Sequence, residues 1–153
     1  MYSLRIQSFK EKFTLYIKLM RLDKPVGILL LLWPTLWALW LSSDGIPSIK
    51  ILFIFMLGVV IMRSAGCVIN DFADRDIDGY VRRTNNRPIP NGEISPREAI
   101  IIFLFLSMLA LSLVTFTNTL TLKLSFIGVF LAAIYPFMKR YTNLPQIFLG
   151  AAF

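Results

Sequence analysis

An all-α fold of polytopic transmembrane helices is what this sequence predicts, and three observations carry that expectation. The chain is 56% hydrophobic over 153 residues, with a mean hydropathy of +0.67, above the apolar share of about 45–50% usual for soluble domains. Its apolar residues fall in blocks rather than at amphipathic spacing. Positions 25–41, 99–122 and 124–138 carry no charge, and 51–69 carries one, Arg63. The cations gather between alternate blocks. A hydrocarbon core about 30 Å thick needs roughly 20 helical residues, so four complete spans are expected. An apolar run at 147–153 reads as a fifth, begun and cut short.

Residues 1–24 read as a basic interfacial segment ahead of a membrane domain over 25–153. Phe9, Phe13, Tyr16 and Met20 form one helical stripe, with Lys10, Glu11, Lys18 and Arg21 elsewhere around the wheel. A secretory signal fits badly, because the basic region is long and no small-residue cleavage pattern follows. Glu11 and Asp23 argue against a mitochondrial presequence. The first span is the shortest and contains Pro34, which lipid tolerates where neighbouring groups satisfy the freed carbonyl. "LSSDGIPS" (41–48) makes a short turn. After the second span comes the longest polar stretch, 70–97, read as an Asp-rich loop; connections of that length are usually functional or disordered. Within it "RPIPNG" turns at Asn91-Gly92. "SPRE" starts the next helix, with Ser95 as N-cap, Pro96 in first position and Glu98 closing a capping box. "TFTNTLT" (115–121) is the second short turn, and Lys139 and Arg140 end the fourth span.

Charge sets the orientation. Six cations precede Pro25, five lie from Arg75 to Arg97, and the intervening turns hold Lys50 and Lys123 alone. The positive-inside rule places the N-terminus, the Asp-rich loop and Lys139-Arg140 in the cytoplasm, and a bacterial inner membrane is expected. The net charge of +7 thus reflects topology and anionic lipid, not nucleic-acid binding. The chain has no histidine and one cysteine, Cys67. Zinc-protease helices, Ser-His-Asp triads and intrachain disulfides are excluded.

What remains is carboxylate chemistry. Four of nine acidic residues lie in "NDFADRDIDGY" (70–80). If the second helix continues through it, Asn70, Asp71, Asp74 and Asp78 share an arc of about 100°, with Asp76 on the far side. Arg63 falls on the same arc two turns deeper, and Arg82 on its outer side. Carboxylates so placed repel unless a cation sits among them. Mg²⁺ suits: it takes oxygen ligands, one or two carboxylates per ion, and substrate phosphates. An arginine inside an apolar helix marks a functional site by default. Two blander readings compete. A calcium loop matches at Asp74, Asp76, Asp78 and Gly79, but Asn85 stands where the bidentate Glu belongs and Arg82 at the ninth position. A solvated acidic helix end paired with nearby arginines is the other.

The segment "NDFADRDID" has the form N-D-x-x-D-x-x-x-D and resembles the first aspartate-rich motif of the UbiA family of membrane prenyltransferases. "DKPVGILLLLWPTLWALW" (23–40), "MRSAGCVINDFADRDIDGYVRRTNNRPIPNG" (62–92) and "YPFMKRYTNLPQIFLGAAF" (135–153) resemble its hydroxybenzoate branch. That resemblance implies the N-terminal part of a helical fold whose cavity opens to lipid. It also implies transfer of a polyprenyl group from polyprenyl diphosphate to the ring of 4-hydroxybenzoate, in ubiquinone biosynthesis. By position it assigns metal to Asn70, Asp71, Asp74 and Asp78, catalysis to the three aspartates, and diphosphate screening to Arg82, Arg83 and Arg87. Lys139 and Arg140 would meet the benzoate carboxylate. Family members are longer and carry a second Asp-rich motif, whereas 99–153 contains no Asp or Glu. A truncated form is therefore expected, inactive alone or completed by a second chain. The alternative is a non-catalytic membrane subunit that binds a magnesium diphosphate or assembles with another chain.

Overall fold

Helix α3 (Ile49–Asp78) is the element on which the others are arranged. At 30 residues it is about 45 Å long, well beyond the thickness of a hydrocarbon core, so its acidic end projects past its apolar run. The structure is a computed structural model that describes residues 9–43, 45–138, 141, 144, 146, 147 and 150. Around α3 lie α1 (Phe9–Met20), α2 (Val26–Ser42), α4 (Pro96–Val114) and α5 (Thr119–Met138). No strand occurs among the described residues.

Three helices, α3, α4 and α5, are long and apolar enough to cross a membrane, and they mark the chain as an integral membrane protein. The expected first span differs. Helix α2 is apolar but has 17 residues with Pro34 inside it, about 25 Å of helix. It sits at the short end of what crosses a bilayer. The apolar run begun at 147 lies largely outside the described residues, as do Lys139 and Arg140.

The core forms where α3 meets α4. Ile61, Ala65, Val68 and Ile69 of α3 pack with Ala99, Phe103, Leu106 and Ala110 of α4. Small residues at 65, 99 and 110 let the two backbones approach, the usual device of helix pairs in lipid. Helices α2 and α5 are far less buried and leave Trp33, Trp37, Phe126 and Phe130 exposed.

The polar stretch expected over 70–97 divides. Residues 70–78 are the last turns of α3, and 79–95 makes the connection. Ala73, buried within this stretch, and Ile69 just before it keep the helix packed as it passes its apolar run. Thr84 Oγ1 then donates to the Asp78 carbonyl (3.0 Å), satisfying one of the carbonyls a helix end leaves open. The connection is not loose, since Ile89 and Ile94 are buried in the core. It turns where expected: Gly92 has φ +72°, and its N–H donates to the Ile89 carbonyl (3.0 Å). The expected capping box follows. Ser95 Oγ accepts from the Glu98 N–H (3.2 Å), and Glu98 Oε2 accepts from the Ser95 N–H (2.9 Å).

Helix α1 packs on this assembly through Leu15 and Leu19, with Tyr16 and Met20 beside them. Phe9 and Phe13 of the anticipated stripe stay exposed. Lys12 Nζ lies 2.7 Å from Glu98 Oε1, and Tyr16 Oη donates to the same oxygen at 3.4 Å. The hydrogen bond to Glu98 raises the Lys12 ammonium above its ordinary value. The end of α1 is a Schellman turn: Leu22 N–H donates to the Ile17 carbonyl and Arg21 N–H to the Lys18 carbonyl, both at 3.1 Å. Arg21 takes the left-handed position, φ +55°, where glycine is usual and a side chain costs about 1 kcal/mol.

Candidate functional site

Where the acidic end of α3 meets α2, α5 and the 79–95 connection, a cavity of about 840 Å³ opens. Its wall carries Asn70, Asp74 and Asp78 from α3, with Arg63 deeper on the same helix. Arg83, Thr84 and Arg87 come from the connection, Arg21 from the end of α1, and Tyr135 from α5. A second cavity of about 650 Å³ continues it toward the apolar side. Thr35, Ala38, Val59, Met62 and Gly128 line both, so a polar chamber and an apolar one share a wall.

Helix α3 runs through the motif, and the four residues of the predicted arc divide between two surroundings. Asn70 Nδ2 donates to Asp74 Oδ2 (3.2 Å), an i,i+4 pair that presents both side chains to the cavity. Asp78 also faces it, while its Oδ2 takes Arg87 Nη1 at 2.5 Å. Asp71 lies behind this wall with its side chain 2% exposed. Its Oδ1 receives Arg21 Nη2 at 2.8 Å and Arg87 Nη1 at 3.1 Å. Arg21 and Arg87 thereby compensate a carboxylate whose burial alone would be costly. Asp76 is exposed on the far side, 3.6 Å from Arg75 Nε. A calcium loop is ruled out, because Asp74, Asp76 and Asp78 lie on one helix.

The four residues expected to share a metal do not close on a single point. Among the described residues, no group of three or more acidic or thiol side chains could hold an ion. The i, i+3, i+7 spacing spreads Asp71, Asp74 and Asp78 along more than one turn, and arginines draw Asp71 aside. Of the anticipated arginines, Arg87, half-buried, and Arg83, exposed, line the cavity, whereas Arg82, also exposed, does not. Lys139 and Arg140 lie outside the described residues.

Sequence reasoning missed Arg21, Thr84, Tyr135 and Gly27. A Cβ on Gly27 would lie 2.7 Å from Arg63 Nη2, so this glycine leaves room for a guanidinium beside α2. Nothing in the spacing of "RLDKPVG" announces that contact. Arg21 had one legible signal, a cation just before a span, and that signal fits a topology anchor equally well.

Comparison with known proteins places this geometry. Residues 31–153 match the UbiA prenyltransferase family. The chain is 64% identical over 144 residues to a 4-hydroxybenzoate octaprenyltransferase of Saccharophagus degradans, covering 94% of this chain and 48% of the relative. It is 60% identical over 143 residues to the 4-hydroxybenzoate octaprenyltransferase of Vibrio vulnificus, covering 94% and 50%. The chain thus spans about half the length of the curated relatives it matches. Among solved structures it resembles the apo structure of a UbiA homolog from Aeropyrum pernix K1, with a TM-score of 0.65, 27% identity, and coverage of 96% of this chain and 47% of that one. A helical membrane chain with the N-D-x-x-D-x-x-x-D segment on a cavity wall, matched from residue 31 to its last residue, belongs to the UbiA prenyltransferase family.

Proposed function

We propose that this chain forms the diphosphate-binding half of a membrane enzyme that transfers a polyprenyl group to 4-hydroxybenzoate. One observation carries the reading: hard oxygen donors and four guanidinium groups share one cavity, and that cavity opens into an apolar one. A polyprenyl diphosphate has the matching division, a polyanionic head on an apolar chain. The high identity to two 4-hydroxybenzoate octaprenyltransferases supports the choice of acceptor.

The donor set suits Mg²⁺. Asn70, Asp74 and Asp78 offer oxygens, and Mg²⁺ bound with a diphosphate needs only one or two carboxylates from the protein. When bound, the ion neutralises charge on the leaving diphosphate. Arg83 and Arg87 screen the same group from the connection, as charge-assisted donors to phosphate oxygens. Cys67, buried on this face, is too soft a donor to compete for Mg²⁺.

Arg63 places a cation inside the apolar segment of α3 and meets an anionic group of the acceptor. Lys139 and Arg140 are the further candidates for its carboxylate. The apolar chamber seats the first isoprene units and keeps water from the allylic carbon. In the transfer the prenyl C–O bond breaks with departure of diphosphate, a C–C bond forms ortho to the phenol hydroxyl, and the ring proton leaves. We place the Asp-rich end on the cytoplasmic side of a bacterial inner membrane, following the positive-inside distribution.

Binding tests this reading. Isothermal titration of the purified chain in lipid nanodiscs should give saturable, Mg²⁺-dependent binding of geranyl diphosphate. Geranyl phosphate, with one phosphate fewer, should bind at least about tenfold more weakly for loss of charge-assisted contacts. Equal affinity for both ligands, or none for either, would remove the proposed site.

A further inference from the structure

We propose that Asp71 is a positioning residue, which aims the guanidinium groups of Arg21 and Arg87 at the cavity and is not itself a ligand of the cation. The inference rests on the diphosphate reading above and deepens it. One oxygen of Asp71 takes both guanidinium groups, at 2.8 and 3.1 Å. The carboxylate is buried behind the wall on which Asn70, Asp74 and Asp78 stand, and it does not line the cavity itself. The two arginines do line it. They arrive from separate segments, the end of α1 and the connection after α3. A single buried anion therefore joins two cations from separate segments: it is the acid paired with Arg21, and it shares Arg87 with Asp78.

The backbone at Arg21 points the same way. Its residue is the left-handed position of a Schellman turn, φ +55°, where glycine carries no steric penalty. An arginine there strains the turn, yet its guanidinium reaches Asp71, fifty residues along the chain. Strain held at such a place is a mark of a functional contact. Replacing Arg21 by glycine should thus relax the turn while removing a cation from the cavity.

The experiment uses the chain in nanodiscs with three readouts. They are Mn²⁺ affinity by electron paramagnetic resonance, affinity for magnesium pyrophosphate by calorimetry, and phenylglyoxal labelling of individual arginines by mass spectrometry. Asp71→Asn should keep Mn²⁺ affinity within about twofold and weaken pyrophosphate about tenfold, the scale of one charge-assisted contact. Arg21→Gly should weaken pyrophosphate to a similar extent with Mn²⁺ affinity kept, while its melting temperature reflects relief of the turn set against the loss of one of the two cations on buried Asp71. Asp71→Glu should recover part of the pyrophosphate affinity, and Asp74→Asn should lose Mn²⁺. Arg21 should label faster in Asp71→Asn than in the unaltered chain, and Arg87, still held by Asp78, should change less. Should Asp71→Asn fail to fold, Arg21→Gly carries the same test through its ion and pyrophosphate affinities. Loss of Mn²⁺ in Asp71→Asn as large as in Asp74→Asn would make Asp71 a ligand and overturn the proposal. Unchanged labelling of both arginines would overturn it too. If the unaltered chain binds neither probe, the diphosphate reading falls, and the labelling alone decides whether Asp71 positions the two arginines.

Discussion

A Cβ placed on Gly27 would lie 2.7 Å from Arg63 Nη2 and 2.8 Å from its Nε, so the first turn of α2 carries a cation from the middle of α3 on its surface. The contact is with the far end of a flexible side chain, so a methyl group there moves the guanidinium rather than the helices. Alanine also favours the helix over glycine by about 1 kcal/mol. Gly27→Ala is expected to leave the melting temperature unchanged or raise it, while displacing Arg63 from the cavity wall. In a chimera completed by the C-terminal half of the Saccharophagus degradans relative, KM for 4-hydroxybenzoate should rise about tenfold, the loss expected when a charge-assisted contact is broken. An unchanged KM would separate Arg63 from the acceptor.

Asp74 and Asp76 differ by two positions and by face. Asp74 lines the cavity, and Asp76 is exposed beside Arg75. Asp74→Ala should lower prenyl transfer in that chimera by roughly two or more orders of magnitude, since electrostatic stabilisation at the leaving group is often the largest catalytic contribution. Asp76→Ala should cost no more than a surface ion pair does, under about 1 kcal/mol. Equal losses at the two positions would contradict the helical placement.

The tie between α1 and α4 makes a third expectation. Ser95→Ala removes the cap on α4 and should cost about 1 kcal/mol, seen as faster amide exchange in the first turn after Pro96. Glu98 also holds Lys12, whose folded-state pKa is raised above the ordinary 10.5. A raised lysine contributes fully below its unfolded pKa and loses that contribution as pH climbs through the higher folded value. The Lys12–Glu98 pair should therefore stay intact through neutral pH on the lysine side and dissolve only in strong alkali. NMR titration of the Lys12 ammonium in the unaltered chain and in Glu98→Gln checks this: the midpoint should fall in the variant.

Much of this was legible in the residues, for identifiable reasons. Uncharged blocks and flanking cations foretell helices in lipid without tertiary information, because backbone satisfaction leaves a spanning chain few other choices. Ser95, Pro96 and Glu98 act within one turn, so the capping box could be read from adjacent letters. The outward face of Asp76 followed from helical periodicity alone. What periodicity could not supply was contact across elements. The pairing of Asp71 with Arg21 joins residues fifty apart, and it withdraws from the cavity a carboxylate that spacing had grouped with Asn70, Asp74 and Asp78. Arg82 and Arg83 are neighbours in sequence, and the fold of the connection decided which of them faces the cavity. Gly27 reads as an ordinary helix glycine until α3 is laid beside it.

The most direct measurement joins this chain to the C-terminal half of the Saccharophagus degradans relative and follows radiolabelled 4-hydroxybenzoate in liposomes with Mg²⁺ and a polyprenyl diphosphate. The 153 residues alone should give no product, because 99–153 carries no carboxylate to oppose the one acidic face on α3. The chimera should form prenylated 4-hydroxybenzoate, with the product lost on chelation of Mg²⁺ and in Asp74→Ala. A folded, membrane-inserted chimera that makes no product would contradict the assignment of the α3 cavity as the diphosphate half of a prenyltransferase.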